Sequence, residues 1–86
     1  MEVTLTLDPS KLSNPDADLR YTIPELAEKV SNNKMKDNGF DYDDEDNMVI
    51  FISYESLAEK QAIEIVNDVC QRLDLESEAI KVEVRL

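Results

Sequence analysis

The feature that most constrains the fold is the order in which hydrophobic patterns follow one another along only 86 residues. Every second residue is apolar over residues 3–7 and again over residues 80–86, the pattern of strands with one buried face. Between them, residues 48–52 are apolar at every position and predict a central strand. A chain this short can build only one modest core, so we expect a single domain over residues 1–86.

Two segments between these strands have helical periodicity. Residues 22–25 (Thr-Ile-Pro-Glu) form a capping-box pattern and predict a short helix that ends at about Ser31. A second capping-box pattern, at residues 56–59, opens the longest predicted helix, roughly residues 57–73. Its predicted buried stripe consists of Ala58, Ala62, Ile65, Val66, Val69 and Leu73. Before the first helix, a connection of fourteen residues runs from Asp8 to Tyr21 and could be a surface crossover or a binding loop.

The segment Asp37-Asn38-Gly39 is a turn signal that leads into a predicted edge strand over residues 40–43. Residues 34–36 could pair with that strand across the turn. The complete order, β-α-β-β-α-β, resembles the ferredoxin-like plan of the α+β class. In that plan a four-stranded antiparallel sheet, with strand order 4-1-3-2, carries both helices on one face.

That plan leaves the other face of the sheet open. We expect its polar part to consist of Thr4, Thr6, Lys81, Glu83 and Arg85. Because the 48–52 strand is apolar on both sides, we expect it to add two or three large side chains to this face. Either the long loop or the chain terminus covers this apolar patch, or a partner does.

The composition excludes several kinds of chemistry. The chain has no histidine, which excludes a histidine base, a Ser-His or Cys-His pair and a histidine-ligated zinc site within it. Its single glycine, Gly39, is too little for a phosphate-binding loop. Cys70 lies beside the predicted stripe of the second helix, and we interpret it as a small buried hydrophobic residue. We therefore expect no enzyme, no catalytic residue and no cofactor.

The same composition bears on location and on direct ligands. No stretch approaches the roughly 18–20 apolar residues of a membrane span, and residues 1–4 begin a strand pattern and not a signal peptide. A single cysteine forms no internal disulfide, so we expect a reducing, cytoplasmic location. A net charge of −11 would repel nucleic acid and acidic lipid, so we expect neither to bind directly.

The negative charge is concentrated in one region of the sequence. From Asp37 onward there are fourteen acidic residues and four basic ones, which places about −10 of the net −11 in that part of the chain. Its densest part is the acidic segment, residues 41–46 (Asp-Tyr-Asp-Asp-Glu-Asp). Ordinary solubility needs a net charge of only about 2 to 8 in magnitude, so the excess suggests a further use.

The acidic segment does not predict a specific metal site. Asp41, Asp43 and Glu45 stand at alternate positions, as the first ligands of an EF-hand loop do. Counted from Asp41, however, the sixth position is Asp46 in place of glycine, and the twelfth is Ile52 in place of glutamate. A solvated hairpin turn that protects an edge strand from aggregation is the alternative interpretation.

Two functional hypotheses follow from these patterns. The first is a binding or inhibitor protein that docks on a basic surface of a partner protein, such as a nuclease or another nucleic-acid-binding protein. In size, charge and lack of catalytic residues the chain is similar to toxin-immunity proteins and to phage anti-restriction and anti-CRISPR proteins. The side chains that we predict to contact such a partner are Asp37, Asp41, Tyr42, Asp43, Asp44, Glu45, Asp46, Glu64 and Asp68. The second hypothesis is a structural or regulatory module that forms a homodimer through the open sheet face.

Overall fold

The computed structural model describes residues 1–85 and contains four strands and two α-helices in the predicted order. The elements are β1 (Glu2–Leu7), α1 (Leu19–Val30), β2 (Met35–Tyr42), β3 (Met48–Tyr54), α2 (Glu59–Arg72) and β4 (Ile80–Arg85), with 3₁₀ turns at Pro9–Lys11 and Ser77–Ala79. The strands form one antiparallel sheet in the order β2-β3-β1-β4, which confirms the predicted ferredoxin-like α+β fold. Leu86, which we predicted to end the last strand, lies outside the described residues.

The core lies between the helices and one face of the sheet. Leu5 is at its centre, fully buried, opposite Ile50 of β3 on one side and Val82 of β4 on the other. Helix α1 packs against β2 and β3, and it contributes the fully buried Ile23. Helix α2 packs against β4 and α1, and it contributes the fully buried Val66. The predicted alternation of the strands therefore matches their burial.

The other face of the sheet is open, as predicted, but its apolar part is small. Only Val49 and Phe51 of β3 project there as large apolar side chains, and both are half-buried. Phe51 is opposite Thr4, and Val49 lies between Thr6 and Asp41, so the neighbours of the patch across the strands are polar. The connection after β1 packs on the helix side, where Leu12 joins the core.

The start of helix α1 differs from the prediction. We predicted a capping box at residues 22–25, but the helix begins at Leu19 with Asp18 as its N-cap residue. The backbone N–H of Thr22 already donates to the Asp18 carbonyl at 2.9 Å, so Thr22 lies inside the helix and the capping box is wrong. The extra turn buries Leu19, an apolar gain that a start at Thr22 would lose.

The turn predicted at residues 37–39 is also wrong. Strand β2 continues through these residues, and its pairing with β3 shifts between Asp37 and Phe40. The irregularity is a β-bulge around Gly39, which adopts a φ of +95°. The Asp37 carboxylate accepts a hydrogen bond from the Gly39 N–H at 2.9 Å and helps to hold this conformation. Positive φ at glycine is common to turns and bulges, so the motif did not distinguish them.

Helix α2 begins two residues later than predicted. Its N-cap residue is Ala58, and Ser56 has a φ of +61°, outside the extended backbone of an N-cap residue. The capping box predicted at residues 56–59 is therefore wrong. The Gln61 side chain accepts a hydrogen bond from the Ala58 N–H at 2.9 Å, which supplies one half of a capping box. Of the predicted stripe, Ala62, Val66 and Val69 are buried, Ile65 and Leu73 are half-buried, and Ala58 is exposed.

Cys70 is buried, as predicted, at the inner side of α2. Burial raises the pKa of its thiol to about 11. At neutral pH the reactive thiolate is therefore scarce, and the residue acts as a small hydrophobic side chain.

Replacing Gly39 with alanine tests the bulge. Apart from Gly39 and its two neighbours in the chain, no described atom lies within 4 Å of the position of an added Cβ, so the substitution acts through backbone conformation and not through a clash. We expect Gly39→Ala to reduce the free energy of unfolding by about 1–2 kcal/mol, measured by urea denaturation. Asp41→Ala, at an ordinary extended position of the same strand, is the control and should cost less than about 0.5 kcal/mol. Equal stability of wild type and Gly39→Ala would contradict the claim that the backbone conformation at this position requires glycine.

Candidate functional site

The register of the sheet brings three connecting segments to one end of the molecule. Leu7, the last residue of β1, is opposite both Met48 and Ile80, the first residues of β3 and β4. The segment that follows Leu7 therefore lies beside the segments that precede Met48 and Ile80. These segments are residues 8–18, 43–47 and 73–79, and we name them together the acidic end.

The acidic end contains ten carboxylates and one lysine, a charge of about −9 out of the total of −11. Its acids are Asp8, Asp16, Asp18, Asp43, Asp44, Glu45, Asp46, Asp74, Glu76 and Glu78. The single base, Lys11, approaches the Asp8 carboxylate at 3.9 Å. The connections at the opposite end of the sheet, residues 31–34 and 55–58, carry one base and one acid. The molecule is thus strongly polarised from one end to the other.

The hairpin turn between β2 and β3 is organised by Asp43. Its Oδ1 accepts hydrogen bonds from the backbone N–H groups of Asn47 at 2.9 Å and Glu45 at 3.0 Å, and its Oδ2 accepts from the Asn47 side-chain amide at 3.1 Å. These bonds, with that from the Asn47 N–H first in importance, hold the pKa of Asp43 below its ordinary value. Asp43 is thus directed into the turn, and its neighbours are left to project outward.

Asp44, Glu45 and Asp46 are the projecting carboxylates of the turn. All three are exposed, and none forms a salt bridge within residues 1–85. Asp46 has a φ of +62°, a conformation that aspartate and asparagine tolerate better than most residues. The turn therefore presents a dense, unpaired group of negative charges from a fixed backbone.

Hydrogen bonds also fix the other two segments of the acidic end. The Ser10 hydroxyl donates to Asp8 at 2.6 Å, and this bond is the main reason why the pKa of that carboxyl is lowered. The Ser13 N–H donates to the Glu76 carboxylate at 3.1 Å, and the Ser13 hydroxyl donates to the same oxygen. The hydroxyl bond is the main reason why the pKa of Glu76 is lowered. Residues 8–18 are thereby joined to residues 73–79.

Four side chains form an aromatic cluster beside the turn. The Arg20 guanidinium lies 4.7 Å from the ring centre of Phe40 and 5.0 Å from that of Tyr21, and it donates a hydrogen bond to the Tyr42 hydroxyl at 3.2 Å. The three rings make edge-to-face contacts, with centres separated by 5.9 Å and 6.2 Å. They remain 50%, 37% and 46% exposed for Tyr21, Phe40 and Tyr42. An exposed cluster of tyrosine and arginine is typical of binding surfaces.

An apolar cavity of about 200 Å³ lies between residues 8–18 of the acidic end and the adjoining ends of β1, β2, β3 and α1. The buried Leu7, Leu12, Leu19 and Met48 form its floor. Its exposed rim consists of Pro9, Pro15, Asp16, Ala17 and Tyr42. Tyr42 thus belongs to both the aromatic cluster and the cavity, which makes these two features and the turn one continuous surface.

The other predicted contact residues lie elsewhere. Asp37 is exposed on β2 and bonds within the bulge, and Asp41 is opposite Val49 and so projects from the open sheet face. Glu64 is exposed on α2, the helix that packs over β4 at the edge of the sheet away from β2. Asp68, on the same helix, accepts a hydrogen bond from Arg72 at 2.9 Å. The structure does not bring these four side chains together with the turn.

The alternating carboxylates of the acidic segment do not converge. Asp41 projects from the sheet, whereas Asp43 is engaged by the amides of the turn. Over residues 1–85, no group of three His, Cys, Asp or Glu side chains is arranged to hold a metal ion. The EF-hand-like spacing is therefore not accompanied by the geometry of an ion site.

Several members of this surface were not predicted. Asp8, Asp16 and Glu76 are distant from the acidic segment in sequence and join it only through the register of β1. Phe40 and Tyr42 are two residues apart on one strand, which was a signal that their rings share a face. The contribution of Arg20 had no local signal, since its partners lie on another element.

The chain matches no protein-family model, and comparisons with curated proteins and with solved structures found no match. In the part of the chain that the structure describes, none of the helices has the length and apolar character needed to cross a membrane. A function for the acidic end therefore rests on its own geometry and charge.

The role of Asp43 can be separated from that of its neighbour by substitution. Because the pKa of folded Asp43 is lowered, its carboxylate stabilises the fold at neutral pH and loses this effect as the pH falls through the folded pKa, below the ordinary 3.8. We expect Asp43→Ala to lower the melting temperature at pH 7 more than Asp44→Ala does. The difference should shrink as thermal unfolding is repeated at acidic pH. A difference that is independent of pH would contradict the role of the Asp43 charge.

Proposed function

We propose that this protein is a non-catalytic binding protein that docks its acidic end on a basic surface of a partner protein. The observation that carries the proposal is the gathering of ten carboxylates and one lysine at one end of the fold. Concentrating like charges in this way costs self-repulsion, which a partner of opposite charge would relieve. Opposed charge fields also raise association rates by about 10- to 1000-fold at low salt.

The hydrogen bonding and exposure of these carboxylates support a role in binding. At the hairpin turn, Asp43 accepts hydrogen bonds from backbone N–H groups. Its neighbours Asp44, Glu45 and Asp46 are exposed and form no salt bridge within residues 1–85. Such a site meets its partner with the backbone already ordered, so less conformational entropy is lost on association. Tyr42 lies beside the charged group and supplies the kind of aromatic side chain that often dominates binding energy.

The partner that fits best is a protein whose own basic surface binds nucleic acid. The phosphate row of a nucleic acid is a dense line of negative charges, so a groove built to bind it is strongly basic. A small, rigid group of carboxylates could occupy that groove and exclude the nucleic acid. In size and charge this protein resembles toxin-immunity proteins and phage anti-restriction and anti-CRISPR proteins.

Self-association through the open sheet face is the alternative function, and the observations favour it less. Within residues 1–85, only Val49 and Phe51 give that face large apolar side chains, and both are already half-buried. A stable interface usually buries about 800 Å² on each partner, with an apolar core. The side chains around the two apolar residues include Lys81, Glu83 and Arg85, all of them exposed.

Charge reversal at two places tests the docking surface. Asp44→Lys/Glu45→Lys changes the turn, whereas Glu55→Lys/Glu64→Lys changes the net charge equally at exposed positions away from the acidic end. In affinity capture from the native cell, wild type and the Glu55/Glu64 variant should retain the same basic protein. The turn variant should bind it at least roughly tenfold more weakly, since like charges then face each other.

Competition completes this test. Nucleic acid added to the captured complex should displace the protein, because the two would share one basic groove. Circular dichroism should show that both variants remain folded, since all four positions are exposed. Undiminished binding of the turn variant, or a complex that nucleic acid does not displace, would contradict the proposal. Loss of binding in the Glu55/Glu64 variant alone would assign the contact to α2 through Glu64.

The oligomeric state separates the two functions. We expect sedimentation velocity to show a monomer at low and at high salt, because the open face offers too little apolar surface for a stable dimer. Phe51→Ser should leave the sedimentation coefficient unchanged. A dimer that survives high salt and dissociates in Phe51→Ser would favour the self-associating module.

A further inference from the structure

The cavity in the acidic end combines an apolar interior with a charged surrounding. Its floor consists of four buried side chains, from Leu7, Leu12, Leu19 and Met48, and its volume is about 200 Å³. Asp16 stands in its rim. A complementary side chain placed here would gain packing contacts with this apolar floor.

The size of the cavity limits what it can receive. Cofactors and drug-sized ligands occupy pockets of about 300–1000 Å³, so this one is too small for them. An apolar cavity of about 150 Å³ holds one benzene molecule, so about 200 Å³ suits one aliphatic or aromatic side chain. A single side chain inserted in this way is a common form of energetic anchor at protein interfaces.

The charges around the cavity indicate which residues of the partner segment lie next to the inserted side chain. Asp16 lies in the rim, and Asp8, which Lys11 approaches at 3.9 Å, directly precedes the lining residue Pro9. Met48 of the floor directly follows the hairpin turn with its projecting carboxylates. A chain segment that enters the cavity therefore meets the carboxylate of Asp16 and passes a region that carries ten carboxylates and one lysine, which favours lysine or arginine next to the inserted residue.

The walls of the cavity are preformed. Besides the bonds between Ser13 and Glu76, the Asp8 N–H donates to the Ala79 carbonyl at 2.9 Å, so the loop that carries Leu12 is tied to the segment before β4. Leu12 and Leu19 both belong to the main hydrophobic core. Binding would therefore require little rearrangement of the loop.

We propose that this cavity receives one apolar side chain from a partner segment in which lysine or arginine flanks that residue. The inference rests on the proposed function and deepens it, since it names the chemistry of the contacting segment. The carboxylates attract the segment, and the apolar anchor selects among basic segments. Basic stretches that lack an anchor then bind weakly.

Two short peptides of equal charge test the anchor. One is Lys-Arg-Lys-Leu-Lys-Arg-Lys, and the other has alanine in place of the central leucine. Binding to the full-length protein is measured by isothermal titration at low and at physiological salt. We expect the leucine peptide to bind about tenfold more tightly or better, because the additional hydrocarbon of the leucine side chain leaves water.

A variant that occupies the cavity shows where the leucine binds. Ala17→Leu places a larger side chain at the rim, and Ala58→Leu makes the same change at an exposed position away from the cavity. Ala17→Leu should reduce the preference for the leucine peptide to about twofold or less, and Ala58→Leu should preserve it. Methyl NMR of the wild-type protein adds an independent measure: only the leucine peptide should shift the signals of Leu12 and Met48.

The possible results separate this inference from the function on which it rests. Equal affinities for the two peptides, with unshifted Leu12 and Met48 methyl signals, would overturn the anchor. If both peptides then lost binding to Asp44→Lys/Glu45→Lys, docking through the acidic end would still stand. Equal binding of both peptides to wild type and to that turn variant would contradict the anchor and the docking surface together.

Discussion

The pairing of β1 with β3 and β4 is the interaction on which the rest of the structure depends. This strand lies inside the sheet, and its inward side chains are buried between those of its two neighbours. Its last residue, Leu7, is opposite the first residues of both neighbours, so three connections meet at one end. The acidic end is therefore a product of strand register. A shift of one residue in that register would turn the buried side chains to the open face, which their apolar character prevents.

The fold tolerates this concentration of charge because the acidic end is built of local hydrogen bonds and lies outside the core. Asp43, Asp8 and Glu76 each accept bonds from nearby amides or hydroxyls, which favours their charged forms. Helix α1 also begins at this end, where the positive end of its dipole lies close to the carboxylates. Some acids thus hold the segments in place, and the others, such as Asp44, remain free of salt bridges within residues 1–85. The two roles could be assigned only from the hydrogen bonds.

The order of the elements and of the strands was predictable, because hydrophobic periods report which side of each element is buried. The predictions that were wrong all rest on short sequence motifs that are compatible with more than one local structure. The Asn38-Gly39 pair fits both a turn and a bulge, since each accepts glycine at positive φ, and only pairing with β3 selects the bulge. Instead of forming a capping box at Thr22, the helix begins one turn earlier, and this additional turn buries Leu19. A cap contributes typically about 1 kcal/mol, whereas burying a leucine contributes about 1.5–3 kcal/mol.

For the candidate site, the acidic segment and Tyr42 were visible in the sequence, whereas the cavity, the aromatic cluster and the acids of the other two segments were not. The sequence by itself determined the net charge, the absence of histidine, the succession of strands and helices and the buried face of each. The tertiary structure decided which acids are neighbours, that Asp43 points into its turn, and that Glu64 lies on a helix over the other edge of the sheet. The physical reason is that periodicity reflects the geometry of the local backbone, whereas neighbours across a sheet depend on pairing between distant residues.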